Sequence, residues 1–356
     1  MSSALDLLRE LVEIESPTYS DGVRAVAERM SRELEAVGAN AEVLDGAHVR
    51  AELPGEGEPL LLLGHTDTVW PVGTLSKMPF RVADGRAYGP GVYDMKACLV
   101  VLLEAIASAD ERRSLRVFLT ADEEMGSRTG RPHLEETARG AAAALVVEPP
   151  TEEGDLKIAR KGLGRFHVTI TGRSAHPGND RERGASAIEE LAHQVLALHG
   201  LSDEERGISV NVGVVAGGTS ENVVAAHAEA HVDVRVARAD DRGRMERALA
   251  SLTPHLEGTS IELGGGWTRP PLEPSARAQR LFEKARQHGR ALGLELEAAS
   301  SGGGSDGNLV GALGVPVLDG LGAQGGGAHA PDEHVRLDSI AVRAQLLARL
   351  LEDPGL

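Results

Sequence analysis

Apolar residues recur at helical spacing from the start of the chain. Leu5, Leu8, Leu11 and Val12 predict an amphipathic helix that Ser16-Pro17 ends. A second helix is predicted after Asp21, with Val23, Val26, Met30, Leu34 and Val37 inward and Gly38 as its stop. Short apolar runs then predict strands at 41–44, 49–53 and 60–63. Helices are predicted over 97–109 and 131–139. The unbroken apolar runs at 115–120 and 143–147 read as strands covered on both faces, as in a parallel sheet. Alternation of strand and helix predicts an α/β domain.

The middle of the chain has a different rhythm. A strand at 165–171 alternates apolar and polar, followed by a helix at 185–201, strands at 208–216 and 225–236, a helix at 241–252 and a strand at 261–263. That order, β-α-β-β-α-β, is the split ferredoxin-like pattern. The α/β character then resumes with a helix at 276–292, a strand at 294–298, a Gly-rich loop, a strand at 315–318 and a last helix from Leu337. One domain, 163–271, is therefore expected to be inserted into another formed by 1–162 plus 272–356.

Composition narrows the function classes. The 356 residues carry a formal charge of −17 without basic blocks, which excludes nucleic acid and anionic membranes as expected partners. The longest apolar stretch, 141–147, is far below the roughly 18 residues of a membrane helix. No signal peptide is recognisable at the N-terminus, so the cytoplasm is the expected compartment. The single cysteine, Cys98, excludes an intrachain disulfide and reads as a buried small hydrophobe.

Five short segments carry candidate chemistry. Gly64-His65-Thr66-Asp67 follows the strand 60–63; Asp94 sits in a Gly-rich turn before a helix; Asp122-Glu123-Glu124 follows the strand 115–120. Glu148 leaves the strand 143–147, and His329 lies in the loop Gly326-Gly327-Ala328-His329-Ala330-Pro331-Asp332-Glu333. Taken singly, these read as loop histidines, a helix cap and solvated acids. Together, three of them lie at the carboxyl ends of predicted strands, where open α/β sheets place ligands. His65, Asp94, Glu124, Glu148 and His329 offer an imidazole and carboxylate set suited to zinc. If Asp94 bridges, each of two ions receives one His, one terminal carboxylate and the shared Asp. His48 and His227 fit no pattern, and His334 stands outside the set.

On these motifs the sequence resembles the co-catalytic zinc aminoacylase and carboxypeptidase family, which includes glutamate carboxypeptidases, acetylornithine deacetylases and succinyl-diaminopimelate desuccinylases. Thr66-Asp67-Thr68-Val69, Pro79-Phe80-Arg81-Val82, Ala87-Tyr88-Gly89-Pro90-Gly91 and Gly302-Gly303-Gly304-Ser305-Asp306 resemble most the glutamate carboxypeptidase (carboxypeptidase G) branch. Tyr93, before Asp94, departs from the small residue usual in the family. The resemblance implies a zinc-exopeptidase-like α/β catalytic domain with an inserted α+β ferredoxin-like lid and dimerisation domain. It implies two zinc ions per subunit, with cobalt or manganese as alternatives. His65 and Glu148 would hold one ion, Glu124 and His329 the other, and Asp94 would bridge. Asp67 would orient His65, and Glu123 would be the general base. His176 would polarise the scissile carbonyl in the partner subunit of a homodimer. Asn222 and Arg235 would bind substrate, and Arg269 with Gly303 or Gly304 would grip its carboxylate.

Three readings follow. The first is a carboxypeptidase releasing C-terminal glutamate, or a similar residue, from N-acyl or peptide substrates. The second is an N-acyl-amino-acid deacylase of the acetylornithine or desuccinylase type. The third is a metal-binding protein without catalysis, against which Glu123 argues.

Overall fold

A computed structural model of the chain describes residues 3–356. It divides into two compact units. The first takes the chain up to Ala159 together with Glu273–Ser301 and Ser305–Leu356; the second is Arg160–Leu272 with Gly302–Gly304.

The first unit is built on a six-stranded sheet in the order Asn40–Val43, Val49–Leu53, Arg113–Thr120, Glu56–His65, Ala143–Val146, Val317–Leu318. The last four strands are mutually parallel, and the first two run antiparallel to their neighbours. Their apolar runs are explained by burial on both faces: Leu60, Leu61, Leu62 and Leu63 are all inaccessible to solvent or nearly so. The helix Ala97–Ser108 is buried almost all round, which is why its sequence lacks a polar stripe. Ala4–Glu13, by contrast, buries only Leu7, Leu8, Leu11 and Val12, and the Ser3 hydroxyl caps it by accepting from Asp6 N. The parallel strands all run toward one edge, so His65, the turn after Thr120 and the segment after Val146 emerge there side by side.

The second unit is an antiparallel sheet in the order Ser209–Gly217, His227–Val236, Gly162–Thr171, Ser260–Arg269, with the helices Ala187–His199 and Ala239–Ala250 completing the β-α-β-β-α-β order. Phe166, Val168 and Ile170 alternate into its core while Arg165 and His167 point out. The strand expected at 261–263 runs on to Arg269 through three glycines, which ordinarily argue against a strand. Gly265 is needed there, since its φ is +89° and a Cβ would fall 2.3 Å from the backbone oxygen of Arg165 on the neighbouring strand.

Two further expectations are corrected. The strand predicted at 294–298 lies at Ala298–Ser301, because Glu297 is tied to the neighbouring segment through Asp155 Oδ1 and Leu156 N. A second sheet of the first unit, formed by Arg81–Ala83, Arg86–Tyr88, His334–Arg336 and Gly325–Gly326, was not foreseen; its strands are too short to show a period.

Candidate metal centre

His65 ends its strand wholly buried, with Nε2 3.2 Å from Asp94 Oδ1 and 3.6 Å from Glu148 Oε1. Across the cluster, His329 Nε2 lies 3.4 Å from Asp94 Oδ2 and 3.5 Å from Glu124 Oε1. Each oxygen of Asp94 therefore faces one imidazole, and each imidazole has a second carboxylate beside it. His65, Asp94 and Glu124 offer ligand atoms within 4.8 Å of one another.

The other ring nitrogen of His65, Nδ1, is 3.0 Å from Asp67 O and 3.3 Å from Asp67 Oδ1. Asp67 also receives Glu123 N at 3.1 Å on Oδ1, and Glu124 N at 3.2 Å and the Thr18 hydroxyl at 2.7 Å on Oδ2. One buried carboxylate thus sets both the His65 ring and the turn bearing the paired glutamates.

The electrostatics are those of a site short of positive charge. Burial alone lowers the pKa of His65, but its bonds to Asp67 and Asp94 outweigh this and hold it well above the ordinary value. His329 is pushed up to about 10, first by Asp94 and then by Glu124. Burial raises the Asp94 pKa, yet the two imidazoles bring it below the usual carboxylate range. Glu124 Oε1 is buried without a hydrogen-bond partner. Such an oxygen, in a set of imidazole and carboxylate donors with no thiolate, fits divalent metal binding.

A residue to which the sequence assigned no role ties this site together. Glu333 is buried and accepts Trp70 Nε1 at 2.6 Å and Gly91 N at 3.0 Å on Oε2, and Tyr93 N at 2.9 Å and Asp94 N at 3.1 Å on Oε1. The segments bearing Asp94 and His329, and the one following Asp67, meet on this one side chain. Asp306 is a second such group, accepting the Thr120 and Ser127 hydroxyls on either side of the Glu123–Glu124 turn. Tyr93 is buried, its hydroxyl donating to Pro150 O at 3.4 Å and its ring against Gly325.

The other predicted residues lie in the second unit. Arg235 and Arg269 both pair in register with Leu163 of the central strand, one from each side. Arg235 Nη1 donates to Gly302 O at 2.8 Å, and Gly304 approaches the Arg269 side chain so closely that a Cβ would meet its Cδ at 2.8 Å. The buried Arg160, unnoticed in the sequence, holds Gly303 O and Gly304 O, each at 3.2 Å. His176 is exposed, and its Nδ1 accepts Gly178 N at 3.1 Å and Asn179 N at 3.0 Å, which leaves Nε2 as the donor of the neutral ring. Asn222 is exposed in the loop Ser220–Val224 side by side with the His176 segment: Ser220 Oγ donates to its Oδ1 at 2.6 Å, and Val224 N to Ala175 O at 3.0 Å.

Comparison with known proteins places the chain in a family. Residues 61–353 match the family described as Peptidase family M20/M25/M40. Carboxypeptidase G2 of Pseudomonas sp. (strain RS-16) is 31% identical over 99% of this chain and 89% of that protein. Succinyl-diaminopimelate desuccinylase of Thioalkalivibrio sulfidiphilus is 29% identical over 99% of both. Among solved structures, aminopeptidase PepT from Bacillus cereus superimposes with a TM-score of 0.80 at 22% identity, covering 99% of this chain and 98% of that one.

Proposed function

The chain belongs to peptidase family M20/M25/M40, a group of metal-dependent peptidases and aminoacylases, and from that premise we propose that it is a di-zinc carboxypeptidase releasing C-terminal glutamate, or a similar amino acid, from N-acyl or peptide substrates. The observation that carries this is Asp94, whose two oxygens face two imidazoles, with Glu123 in the adjoining turn. In this reading His65 and Glu148 would hold one ion and Glu124 and His329 the other, with Asp94 shared between them. Residues 1–162 plus 272–356 form the catalytic domain and 163–271 the lid. Similarity to carboxypeptidase G2 supports the carboxypeptidase over the deacylase.

Two divalent ions so held would supply Lewis acidity, lowering the pKa of water toward about 7. Asp67 keeps the His65 ring and the glutamate turn in register. Glu123 accepts the proton of the attacking water and delivers it to the leaving amine. His176 Nε2–H donates to the carbonyl oxygen as charge builds on it. Arg235, Arg269 and the amide of Gly303 receive the substrate carboxylate, and Arg160 keeps the three glycines in place. Asn222 binds the substrate beside His176.

The test is amino-acid release from benzoyl-glutamate, a folyl-glutamate, acetylornithine, succinyl-diaminopimelate and dipeptides, each with and without chelator. Chelator-sensitive release of glutamate is the expected result. Preference for the acetylated or succinylated basic amino acids would move the protein to the deacylases with the same metal site. Metal-loaded protein inert toward the whole panel would overturn the reading.

A homodimer is part of this proposal. Ser209–Gly217 is an edge strand with Val214 and Val215 more than half exposed, and Leu196 on the neighbouring helix is 74% exposed. Such an edge pairs readily with a second copy. The double variant Val215→Glu with Leu196→Glu is expected to run as a monomer in light scattering, to bind zinc normally, and to lose at least about tenfold in kcat because His176 acts across the dimer. Full activity in a proven monomer would remove His176 from that role.

A further inference from the structure

Of the two histidines without a sequence pattern, His227 is exposed and His48 is wholly buried. The His48 ring stacks on Phe118 at 5.9 Å, with His133 6.0 Å away. Two glycines wall it in: a Cβ on Gly46 would lie 2.8 Å from Nε2, and one on Gly130 would lie 3.0 Å from Cε1. The backbone is shaped to this ring.

Its polar atoms have defined partners. Nδ1 accepts Ala121 N at 3.0 Å. Nε2 lies 3.1 Å from Thr129 Oγ1, whose own hydrogen goes to Asp122 Oδ2 at 2.9 Å. Thr129 Oγ1 is therefore the acceptor of the His48 bond, and Nε2 carries the ring hydrogen. Asp122 completes the closure by taking Thr129 N at 2.7 Å and Gly130 N at 3.2 Å. Burial pushes the imidazole below its ordinary pKa, with Asp122 opposing and His133 reinforcing that shift, while Asp306 and Asp67 oppose it. A neutral ring of one tautomer is what both bonds require.

We propose that His48 is a positioning residue for the Glu123–Glu124 turn, a neutral two-ended clamp between the Ala121 amide on one side of the turn and the Thr129 hydroxyl on the other. The proposal rests on the reading of Glu123 as base and Glu124 as ligand. The clamp holds both ends of the segment from which these side chains project, and small displacements of such groups are costly to rate.

The two halves of the clamp are separable. In His48→Asn the amide oxygen still accepts Ala121 N–H, but the side chain is too short for Thr129. In His48→Gln the amide reaches Thr129 and leaves Ala121 N–H unpaired. Each variant is expected to lose about tenfold in kcat with KM within about twofold, and to bind zinc several-fold more weakly in a chelator competition. The Thr129 and Gly130 amides should exchange faster in His48→Asn, and the Ala121 amide in His48→Gln. Melting temperatures lowered with kcat, zinc affinity and exchange unchanged would make His48 a packing residue and overturn the proposal. Glu123→Gln, assayed in parallel, separates the two readings: normal turnover there overturns the assigned base, while zinc affinity and exchange still judge the clamp. Should neither His48 variant fold, imidazole nitrogen shifts of the unaltered protein between pH 5.5 and 8 decide. The Nε2–H tautomer supports the clamp, and an imidazolium or the Nδ1–H form overturns it.

Discussion

Replacing Glu123 by alanine is expected to leave the metal complement intact and to lower kcat by roughly 10²–10⁴-fold, the usual contribution of a positioned acid–base group. The expectation follows from how the turn is held. Glu123 meets Asp67 through its backbone N–H, and so does Glu124, and alanine keeps both of these bonds. The five proposed metal-binding side chains are other residues, and the two imidazoles among them are flanked by carboxylates that the substitution leaves in place: His65 by Asp67, and His329 by Asp94 and Glu124. Substrate affinity should change little, because the carboxylate grip lies with Arg235 and Arg269. Steady-state kinetics on the best panel substrate, together with metal analysis of the purified variant, checks both halves. Glu124→Ala provides the contrast. It deletes a buried carboxylate oxygen that lies 3.5 Å from His329 Nε2, one of the proposed ligand atoms, so metal content and activity should fall together. Normal turnover by Glu123→Ala would overturn the assignment of the base.

Much of this site was legible in the sequence because its residues stand at places the fold makes conspicuous. His65, Glu123 with Glu124, and Glu148 each follow an apolar run that only a strand buried on both faces explains, so strand ends and candidate ligands could be read together. The lid order was legible for a similar reason: residues 165–171 alternate cleanly between core and solvent. The rest depended on contacts distant in the chain. Glu333 looks like one more solvated acid in a Pro-Asp-Glu run, and only the fold brings it to Tyr93 N, 240 positions away. His48 carries no local mark at all, since what defines it is the space left by Gly46 and Gly130. Arg160 carries no mark in the sequence, and its role shows only when the glycine carbonyls of 303 and 304 are seen on its guanidinium. The short strands around Tyr88 and His334 lacked the length for a period, and the glycines at 264–266 concealed most of a ten-residue strand.

Glu333→Gln tests the most connected of these hidden residues. The wild-type carboxylate receives four N–H groups on two oxygens, from Trp70, Gly91, Tyr93 and Asp94. Glutamine keeps the shape but only one accepting oxygen, and whichever way its amide turns, two N–H donors face an NH₂ group. Losing two charge-assisted bonds at about 1.5–3 kcal/mol each predicts a loss of about 3–6 kcal/mol. For a chain of this size that corresponds to a melting temperature lower by about 4–8 °C. The buried Lys96, whose ammonium donates to Ile14 O at 2.7 Å, loses one of the two carboxylates, Glu333 and Glu15, that offset its burial, which adds in the same direction. The functional effect is separable from the loss of stability. The amide of Asp94 is one of the four donors, so the variant releases the backbone of the residue that faces both imidazoles. Zinc affinity measured by competition at a temperature where the variant is fully folded should therefore fall by about 10–100-fold, the usual cost of removing a group that orients a ligand. A variant that melts lower yet binds zinc as the wild type does would show that Glu333 staples the loops without setting the metal geometry. One that melts within about 2 °C of wild type would mean that glutamine satisfies the site, contrary to the count of donors around it.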